Sequence, residues 1–179
     1  MKTVMTTILA LFIFMGAYAQ YTEYTIQEGR HECDQSRFKL TGSDMTILAY
    51  LPSTALYNPK IDAGWSKLWG FSSTLDNHTH SCRIAWRCLS EEERKFVVGA
   101  YIYVNKERYI KPMDTVFVDE QFYAKTWWEA GKYGVKINDR VLYFEQPKKP
   151  GWLTHQQYPY FGGKATAPHK MKFYIQPMK

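Results

Sequence analysis

The chain has 179 residues and a formal net charge of +6 at pH 7, and 45% of its residues are hydrophobic and 17% aromatic. After an N-terminal apolar run, it contains no stretch of about 20 apolar residues, which excludes a protein that crosses a membrane with several helices. Neither the G-x-S-x-G elbow of serine hydrolases nor a phosphate-binding glycine loop occurs, so we expect neither enzyme class and no cofactor.

The N-terminal segment has the pattern of a secretory signal peptide. Lys2 precedes an apolar run from Val4 to Met15, and small residues follow up to Ala19. The run is shorter than the roughly 20 residues that a membrane-spanning helix needs. We therefore expect a signal peptide over 1–19 and a single domain over 20–179, in a secreted or periplasmic protein. A retained N-terminal membrane helix is the alternative.

Short segments in which apolar and polar residues alternate predict a protein built mostly of β-strands. In chain order these segments are 35–41, 45–51, 82–88, 96–104, 108–113, 116–129, 133–137, 140–144 and 171–176. Asn138-Asp139 predicts a tight turn that joins two of them into a hairpin. The helical signal is Ser90 before three glutamates, which could cap one short turn. This pattern favours an all-β, two-sheet antiparallel sandwich or jelly roll with at most one short helix.

The segment from Cys82 to Cys88 has two chemically different faces if it is a strand, because side chains alternate between the faces. We expect its apolar members in the core, and they are Cys82, Ile84, Trp86 and Cys88. Arg83 and Arg87 would then lie on the opposite face with Ala85.

The three cysteines have a restricted set of pairings. Cys82 and Cys88 would be about 20 Å apart in one strand, which is too far for a disulfide. Exported proteins usually oxidise their cysteines, so we expect Cys33 to pair with one of the two and leave the third free and buried. A disulfide between two chains is the alternative.

A metal site is a second interpretation of the same region. His78, His80 and Cys82 are spaced by two, and imidazole and thiolate ligands suit zinc or copper. However, Asp76 to Thr79 has the composition of a turn, which would break the alignment. We therefore expect histidines on a polar loop and no metal.

A binding surface is predicted opposite the apolar faces of these strands. Between Phe96 and Val104, Tyr101 and Tyr103 alternate with aliphatic residues. Aromatic rings can pack on sugars, and arginine binds carboxylate or sulfate with two hydrogen bonds. Trp127 and Trp128 are adjacent, so one should point outward. The predicted binding residues are Arg83, Arg87, Tyr101, Tyr103, Trp127 and Trp128. Ordinary sheet packing is the alternative for each.

Charge is concentrated toward the C-terminus. Residues 125–179 carry ten basic and three acidic groups, which is a pattern that favours an acidic partner. We expect a polysaccharide, with anionic polysaccharides among the candidates, no nucleic acid and no membrane span, and we leave the oligomeric state open. A solvated lysine-rich surface is the alternative.

Five short motifs also carry a family resemblance, and they are Lys67–Ser72, Arg83–Arg87, Tyr101–Asn105, Tyr158–Gly163 and Ala167-Pro168-His169. They resemble a group of secreted bacterial β-sandwich proteins that is similar in outline to concanavalin A-like jelly rolls. Those jelly rolls include lectins, glucanases and polysaccharide lyases. The resemblance covers most of residues 60–176 and implies two curved sheets with a glycan on the concave face. It does not imply catalysis.

The resemblance leaves enzymatic activity open while favouring a binding protein. A retaining glucanase of this type needs closely spaced carboxylates on one strand, and that motif does not occur. Tyr123–Tyr133 resembles the C-terminal motif of an alginate-lyase-like jelly roll. The Gln-x-His and Arg-x-Glu-x-Arg motifs that such a lyase also needs are missing. A lyase could instead use His80, Tyr101 or Tyr103 with Arg83 or Arg87. We predict carbohydrate binding; the alternatives are a lyase or hydrolase, and a non-catalytic envelope or interaction protein.

Overall fold

The protein folds as an all-β sandwich of two antiparallel sheets, as the sequence predicts. The computed structural model describes residues 20–61 and 64–178. The predicted signal peptide over 1–19 lies outside the described residues. Within them, no helix has the length and apolar character that a membrane crossing requires.

The described residues form eleven strands: β1 (Thr22–Ile26), β2 (Asp44–Tyr50), β3 (Ser66–Ser72), β4 (His80–Ser90), β5 (Lys95–Val104), β6 (Glu107–Phe117), β7 (Phe122–Glu129), β8 (Lys132–Ile137), β9 (Arg140–Glu145), β10 (His155–Gln157) and β11 (Met171–Met178). One sheet has the strand order β1-β11-β2-β7-β8-β9, and the other has the order β10-β3-β4-β5-β6. A single 3-10 turn, Ser53–Ala55, is the one helical element in the described part of the chain.

The core lies between the two sheets, and Trp86 on β4 is its largest fully buried side chain. The Trp86 indole contacts Phe96 on the neighbouring strand, with 5.8 Å between ring centroids, and Phe173 on β11 of the opposite sheet at 5.3 Å. Tyr57 packs edge-on against the same indole and accepts a hydrogen bond from the backbone N–H of Cys88. Trp86 therefore joins the two sheets at the centre of the sandwich.

The predicted alternation along β4 and β5 is confirmed. The predicted core face of β4 is buried in the hydrophobic cluster, as are the alternating residues of β5: Phe96, Val98, Ala100, Ile102 and Val104. The two strands are direct neighbours, with Arg83 opposite Tyr101. Side chains of the second face therefore meet on the outer side of the five-stranded sheet.

Several predicted strands differ from the observed ones. Residues 35–41 form no strand, and Leu40 makes only an isolated bridge to His155. Phe38 and Leu40 in this segment are exposed, so their alternation does not reflect a buried face. The predicted strand 116–129 is interrupted by a turn in which Asp119 has a φ of +63°. The residues of the predicted strand belong instead to the end of β6 and to β7.

Three strands lack a clear signal in the sequence. Every residue of β3 is buried, and the pairing register shifts between Lys67 and Trp69. A bulge of this kind interrupts the period of two on which strand prediction depends. β1 and β10 have five and three residues, which is too short for a distinct pattern.

The turns are explained by local hydrogen bonds and backbone geometry. The predicted helical turn after Ser90 is a β-hairpin turn instead, although the Ser90 hydroxyl accepts the predicted hydrogen bond from the N–H of Glu93. Arg94 has a φ of +54°, which ends any helix and leads into β5. The hairpin at Asn138-Asp139 is confirmed, with Ile137 paired to Arg140.

The expected disulfide is not formed, because Cys33, Cys82 and Cys88 are all free and buried. Cys33 lies beside Ile26 at the edge of the six-stranded sheet, whereas the other two cysteines lie on β4. The thiol of Cys82 faces the Gly134 carbonyl oxygen, 3.6 Å away. The fold thus separates Cys33 from the two cysteines with which we expected it to pair.

We predict three free thiols that are protected by the fold. Burial raises the pKa of Cys33 to about 11 and raises the pKa values of Cys82 and Cys88. Because thiolates are the reactive form, iodoacetamide should react slowly with the native protein. Denaturation without reductant should allow three alkylations by mass spectrometry, whereas a Cys33 disulfide would allow one.

A buried polar network around His80 also joins the two sheets. His80 Nδ1 accepts a hydrogen bond from the N–H of Asn105 at 3.3 Å and lies 3.2 Å from Nε2 of Gln146. Gln146 Nε2 in turn lies 3.4 Å from the Tyr133 hydroxyl of the six-stranded sheet. Protonation of Nδ1 would remove the acceptor that both donors use.

We predict that the free energy of unfolding decreases as the pH falls below about 6.5. Burial, with a smaller effect of Lys148, lowers the pKa of His80 from its ordinary value of 6.5. The unfolded chain therefore binds the proton first, so the stabilisation is present above that pH and is lost as the pH falls through the folded-state pKa. Urea unfolding from pH 7 to pH 5 should show a smaller loss for His80→Asn, and equal losses would contradict this prediction.

Candidate functional site

A pocket of about 680 Å³ lies on the outer face of the five-stranded sheet. Residues of β3, β4, β5, β6 and β10 form part of its lining. The remaining lining residues come from three loop regions, which are 32–38, 75–78 and 158–163. The volume is within the range of about 300 to 1,000 Å³ that is common for small-molecule sites.

The floor of the pocket consists of Lys67, Arg83 and Tyr101, and each of these side chains is buried. Their exposed fractions are 7%, 4% and 5%. The Lys67 Nζ atom and the Arg83 Cζ atom each lie 4.9 Å from the centroid of the Tyr101 ring. Two cations therefore share one aromatic neighbour, an arrangement in which the ring partly compensates for lost hydration.

Arg83 has few hydrogen-bond partners for a buried guanidinium. One terminal nitrogen donates to the Asn77 carbonyl oxygen at 3.4 Å, which is a long contact. Its Nε is buried and has no hydrogen-bond partner among the described residues. Burial lowers the pKa of Arg83, but an arginine side chain stays charged at neutral pH.

Lys67 is held at the other side of the floor. Its Nζ donates to the Gly162 carbonyl oxygen at 2.9 Å and lies 5.0 Å from the centroid of the Tyr160 ring. Burial, followed by repulsion from Arg83 and Arg108, lowers the pKa of Lys67 to about 8. Lys67 is therefore mostly charged at pH 7 and loses its proton in mildly alkaline solution.

Three aromatic side chains in the pocket each pack on a histidine ring. Tyr160 stacks on His31 and Phe38 stacks on His155, with centroid separations of 5.3 Å and 5.1 Å. Tyr103 lies 5.1 Å from His78 in a tilted arrangement. Phe38 is 61% exposed, so much of its ring remains accessible.

Arg108 on β6 adds a cation at the rim of the pocket. It is exposed, and interaction with the Tyr101 hydroxyl, followed by other effects that include Tyr103, raises its pKa. Burial, followed by the proximity of Tyr101, raises the pKa of Tyr103. Tyr103 is therefore a neutral phenol at pH 7, which can donate a hydrogen bond but is a poor general base.

The carboxylates in the described lining are Glu32 and Asp76, and both lie outside the strands. Asp76 is already engaged by its own loop, because its carboxylate accepts hydrogen bonds from the N–H of His78 and the hydroxyl of Thr79. The hydrogen bond from His78, followed by that from Thr79, lowers the pKa of Asp76. Asp76 is therefore ionised at neutral pH and unsuited to the role of general acid.

The structure brings three of the six predicted binding residues together, and they are Arg83, Tyr101 and Tyr103. We expected Arg83 and Tyr101 on an exposed binding surface, and this is wrong, since both are buried. The loops at 32–38, 75–78 and 158–163 cover this face of the sheet, so its side chains form a pocket floor. They lie outside the hydrophobic core cluster.

The other three predicted binding residues lie outside this pocket. Arg87 is about 13 Å further along β4 at the usual rise per residue, and its guanidinium packs 5.1 Å from the Trp65 ring. Trp127 and Trp128 belong to β7 of the opposite sheet. Trp127 points outward and covers Gly134, whereas Trp128 packs against the core, as their adjacency predicts.

His80 is also separated from the pocket. It lies opposite Val104 on the core face of β4, together with Cys82, whereas His78 is on the exposed loop. The hypothesis of a lyase that uses His80 in this pocket is therefore wrong, because His80 faces the core. Among the described residues, no group of three or more His, Cys, Asp and Glu side chains is arranged to hold a metal ion.

Several lining residues were missed by reasoning from the sequence, namely Lys67, Phe38, Arg108 and Tyr160. Lys67 and Tyr160 lie in motifs on which the family resemblance rests, Lys67–Ser72 and Tyr158–Gly163, and these motifs could have pointed to a site. The basic C-terminal third supplies no lysine or arginine to the pocket. Three of its lysines instead pair with carboxylates near the surface, and they are Lys125 with Asp44, Lys132 with Glu145 and Lys172 with Glu23.

We predict that Gly70→Ala destabilises the protein and disturbs the pocket floor. Gly70 lies opposite Arg83 with a φ of +147°, and an added Cβ would overlap the Cys82 carbonyl oxygen and lie 2.7 Å from Cα of Arg83. The loss in unfolding free energy should be about 2 kcal/mol or more. Gly151→Ala is the matched control, because nothing lies within 4 Å of its added Cβ. Equal stabilities in urea unfolding would contradict the prediction.

No protein-family model and no curated protein matches the sequence. Among solved structures, a Bacillus licheniformis β-glucanase is similar at 9% identity, with a TM-score of 0.50 over 88% of this chain and 76% of that chain. A lichenase from a mouse hindgut metagenome has 15% identity and a TM-score of 0.49 over 87% and 77%. The carbohydrate-binding module CBM66 from Bacillus subtilis has 12% identity and a TM-score of 0.37 over 78% and 77%. At these identities the likeness shows the fold alone, which is a concanavalin A-like jelly roll.

Proposed function

We propose that the protein binds a carbohydrate in the pocket on its five-stranded sheet. The observation that carries this proposal is the accessible Phe38 ring, which stacks on His155 at the edge of a pocket with a polar, cationic floor. Such a pocket offers both of the surfaces that a pyranose needs. An aromatic ring can pack against its apolar C–H face, and polar groups can bind its hydroxyls.

The polar part of the lining supports the same ligand class. Gln157 and the hydroxyls of Tyr103 and Tyr160 can both donate and accept hydrogen bonds. Lys67 and the arginines contribute donors only. A sugar hydroxyl is itself a donor and an acceptor, so a mixed set of partners matches it. Carbohydrate as ligand also agrees with the β-glucanase whose fold this chain shares.

A binding role accounts for the lining better than hydrolysis does. The pocket residues on the strands are cations, aromatics and neutral amides, and Asp76 is held by its own loop. A retaining glycosidase needs two carboxyl groups about 5 Å apart beside the scissile bond. A lyase that uses Tyr103 as a base would also be hindered by the raised pKa of that phenol. An assay for unsaturated uronates tests the lyase alternative directly.

We predict that Phe38→Ala weakens glycan binding by about tenfold, because it removes the accessible ring of the pocket. Binding is measured first on a glycan array that contains neutral and acidic polysaccharides, and then by calorimetry with the best ligand. Trp152→Ala is the matched control. It removes a more exposed aromatic side chain that lies outside the pocket, so it should leave affinity unchanged.

Equal losses in the two variants would indicate non-specific adhesion of aromatic surface and would contradict the proposal. A wild-type protein that binds no glycan on the array would contradict it as well. Because Phe38 is exposed on a loop, its removal should not alter the thermal unfolding temperature. That measurement separates lost binding from lost folding.

A further inference from the structure

We infer that the carbohydrate is acidic, and that Arg83 and Lys67 bind the carboxylate of a uronic acid residue at the floor of the pocket. This inference rests on the proposed function and names the ligand class for the same site. It depends on the surroundings of these two cations and on the way in which the loops cover them.

Arg83 and Lys67 are buried cations without an anionic partner. In the described part of the chain, no carboxylate lies within ion-pair distance of either side chain. Each makes a single hydrogen bond to a backbone carbonyl oxygen, from Arg83 to Asn77 and from Lys67 to Gly162. Burying a charge is unfavourable unless an opposite charge and hydrogen bonds compensate for it. A ligand that brings its own negative charge would supply the missing partner.

The nearest carboxylates in the lining do not take that role. Asp76 uses its oxygens within its own loop, and Glu32 makes no ion pair within the described residues. Rim cations, Arg37 and Arg108, add further positive charge to the lining. The electrostatic potential of the pocket therefore favours an anion at the floor.

The burial of both cations favours a carboxylate over a sulfate ester. Arg83 and Lys67 are less than a tenth exposed, so only a small group can reach them. The carboxylate of a uronic acid is planar and bonded directly to the sugar ring. It can take two hydrogen bonds from a guanidinium or share its oxygens with an ammonium. A sulfate ester is bulkier and stands one oxygen further from the ring.

The pKa of Lys67 gives the site a distinctive pH dependence. In the protein without ligand, the Lys67 side chain has a pKa of about 8. A bound carboxylate would favour its charged form, so binding should weaken as the pH rises from 7 to 9.5. Arginine stays charged over this range, and Lys67→Arg should therefore bind with less pH dependence than the wild type.

The experiment compares matched ligands by calorimetry at pH 7. Oligomers of galacturonate, mannuronate and guluronate are each tested beside their carboxyl-reduced forms, which have the same length and neutral rings. Sulfated neutral oligomers form a third set. We expect at least one uronate oligomer to bind more than tenfold more tightly than its reduced form and than every sulfated oligomer.

Variants locate the effect at the floor of the pocket. Lys67→Met and Arg83→Met should each weaken uronate binding more than tenfold and affect neutral oligomers less. Lys125→Met is the control, because it removes an equal charge from the opposite sheet. Since Arg83 is buried, circular dichroism and thermal unfolding verify that each variant folds. Lys67→Arg provides an independent test through the pH profile.

Each outcome distinguishes the inference from the proposed function. Equal binding of the uronate and reduced oligomers would overturn the carboxylate site and leave carbohydrate binding standing. Preference for sulfated oligomers would also overturn the carboxylate assignment. Failure of every oligomer to bind would overturn this inference, and the proposed function falls with it only if the glycan array also detects no ligand.

Discussion

Strand β4 is buried on both of its faces between His80 and Trp86, and the pocket depends on this constraint. Trp86 on one face contacts aromatic rings of both sheets, while Arg83, three residues earlier, lies on the other face beneath the loops. Because side chains alternate strictly along a strand, the packing that places Trp86 in the core also fixes the direction of Arg83. The cationic floor is therefore attached to the strand that carries the central tryptophan of the core, and a ligand would meet charges whose positions are already set.

That arrangement places two charges where burial disfavours them. A buried ion without an opposite charge is less favourable than an apolar side chain of similar size. Tyr101 compensates in part through its ring, and backbone carbonyl oxygens accept one hydrogen bond from each cation. Departures from the usual rules of burial are expected at functional sites, where binding supplies the missing interaction. The floor of the pocket is such a departure, and it lies outside the hydrophobic core cluster, beneath the loops at 32–38, 75–78 and 158–163.

The loops place aromatic side chains above a rigid sheet, which is a common division of roles in binding proteins. His31 and His155 each support an aromatic ring of the pocket, whereas His80 belongs to a buried network that joins the sheets. Histidines of similar appearance in the sequence thus have unrelated roles. The roles differ because His80 lies on the core face of β4, whereas His31 and His155 lie beside loop aromatics at the pocket. The same separation places the acid-sensitive network of His80 on the core side of β4, away from the pocket.

The sequence by itself determined the sandwich, the core faces of β4 and β5, and the grouping of Arg83 with Tyr101 and Tyr103, because alternation is a local property of a strand. Tertiary structure alone decided that these residues form a covered floor and that Lys67 joins them. Lys67 follows no simple alternation at the bulge in β3, and its hydrogen-bond partner Gly162 lies 95 positions away. Phe38 lies in a segment whose pattern favours a strand, yet the fold uses it as a loop. Contacts between distant segments decide such positions, and no local pattern encodes them.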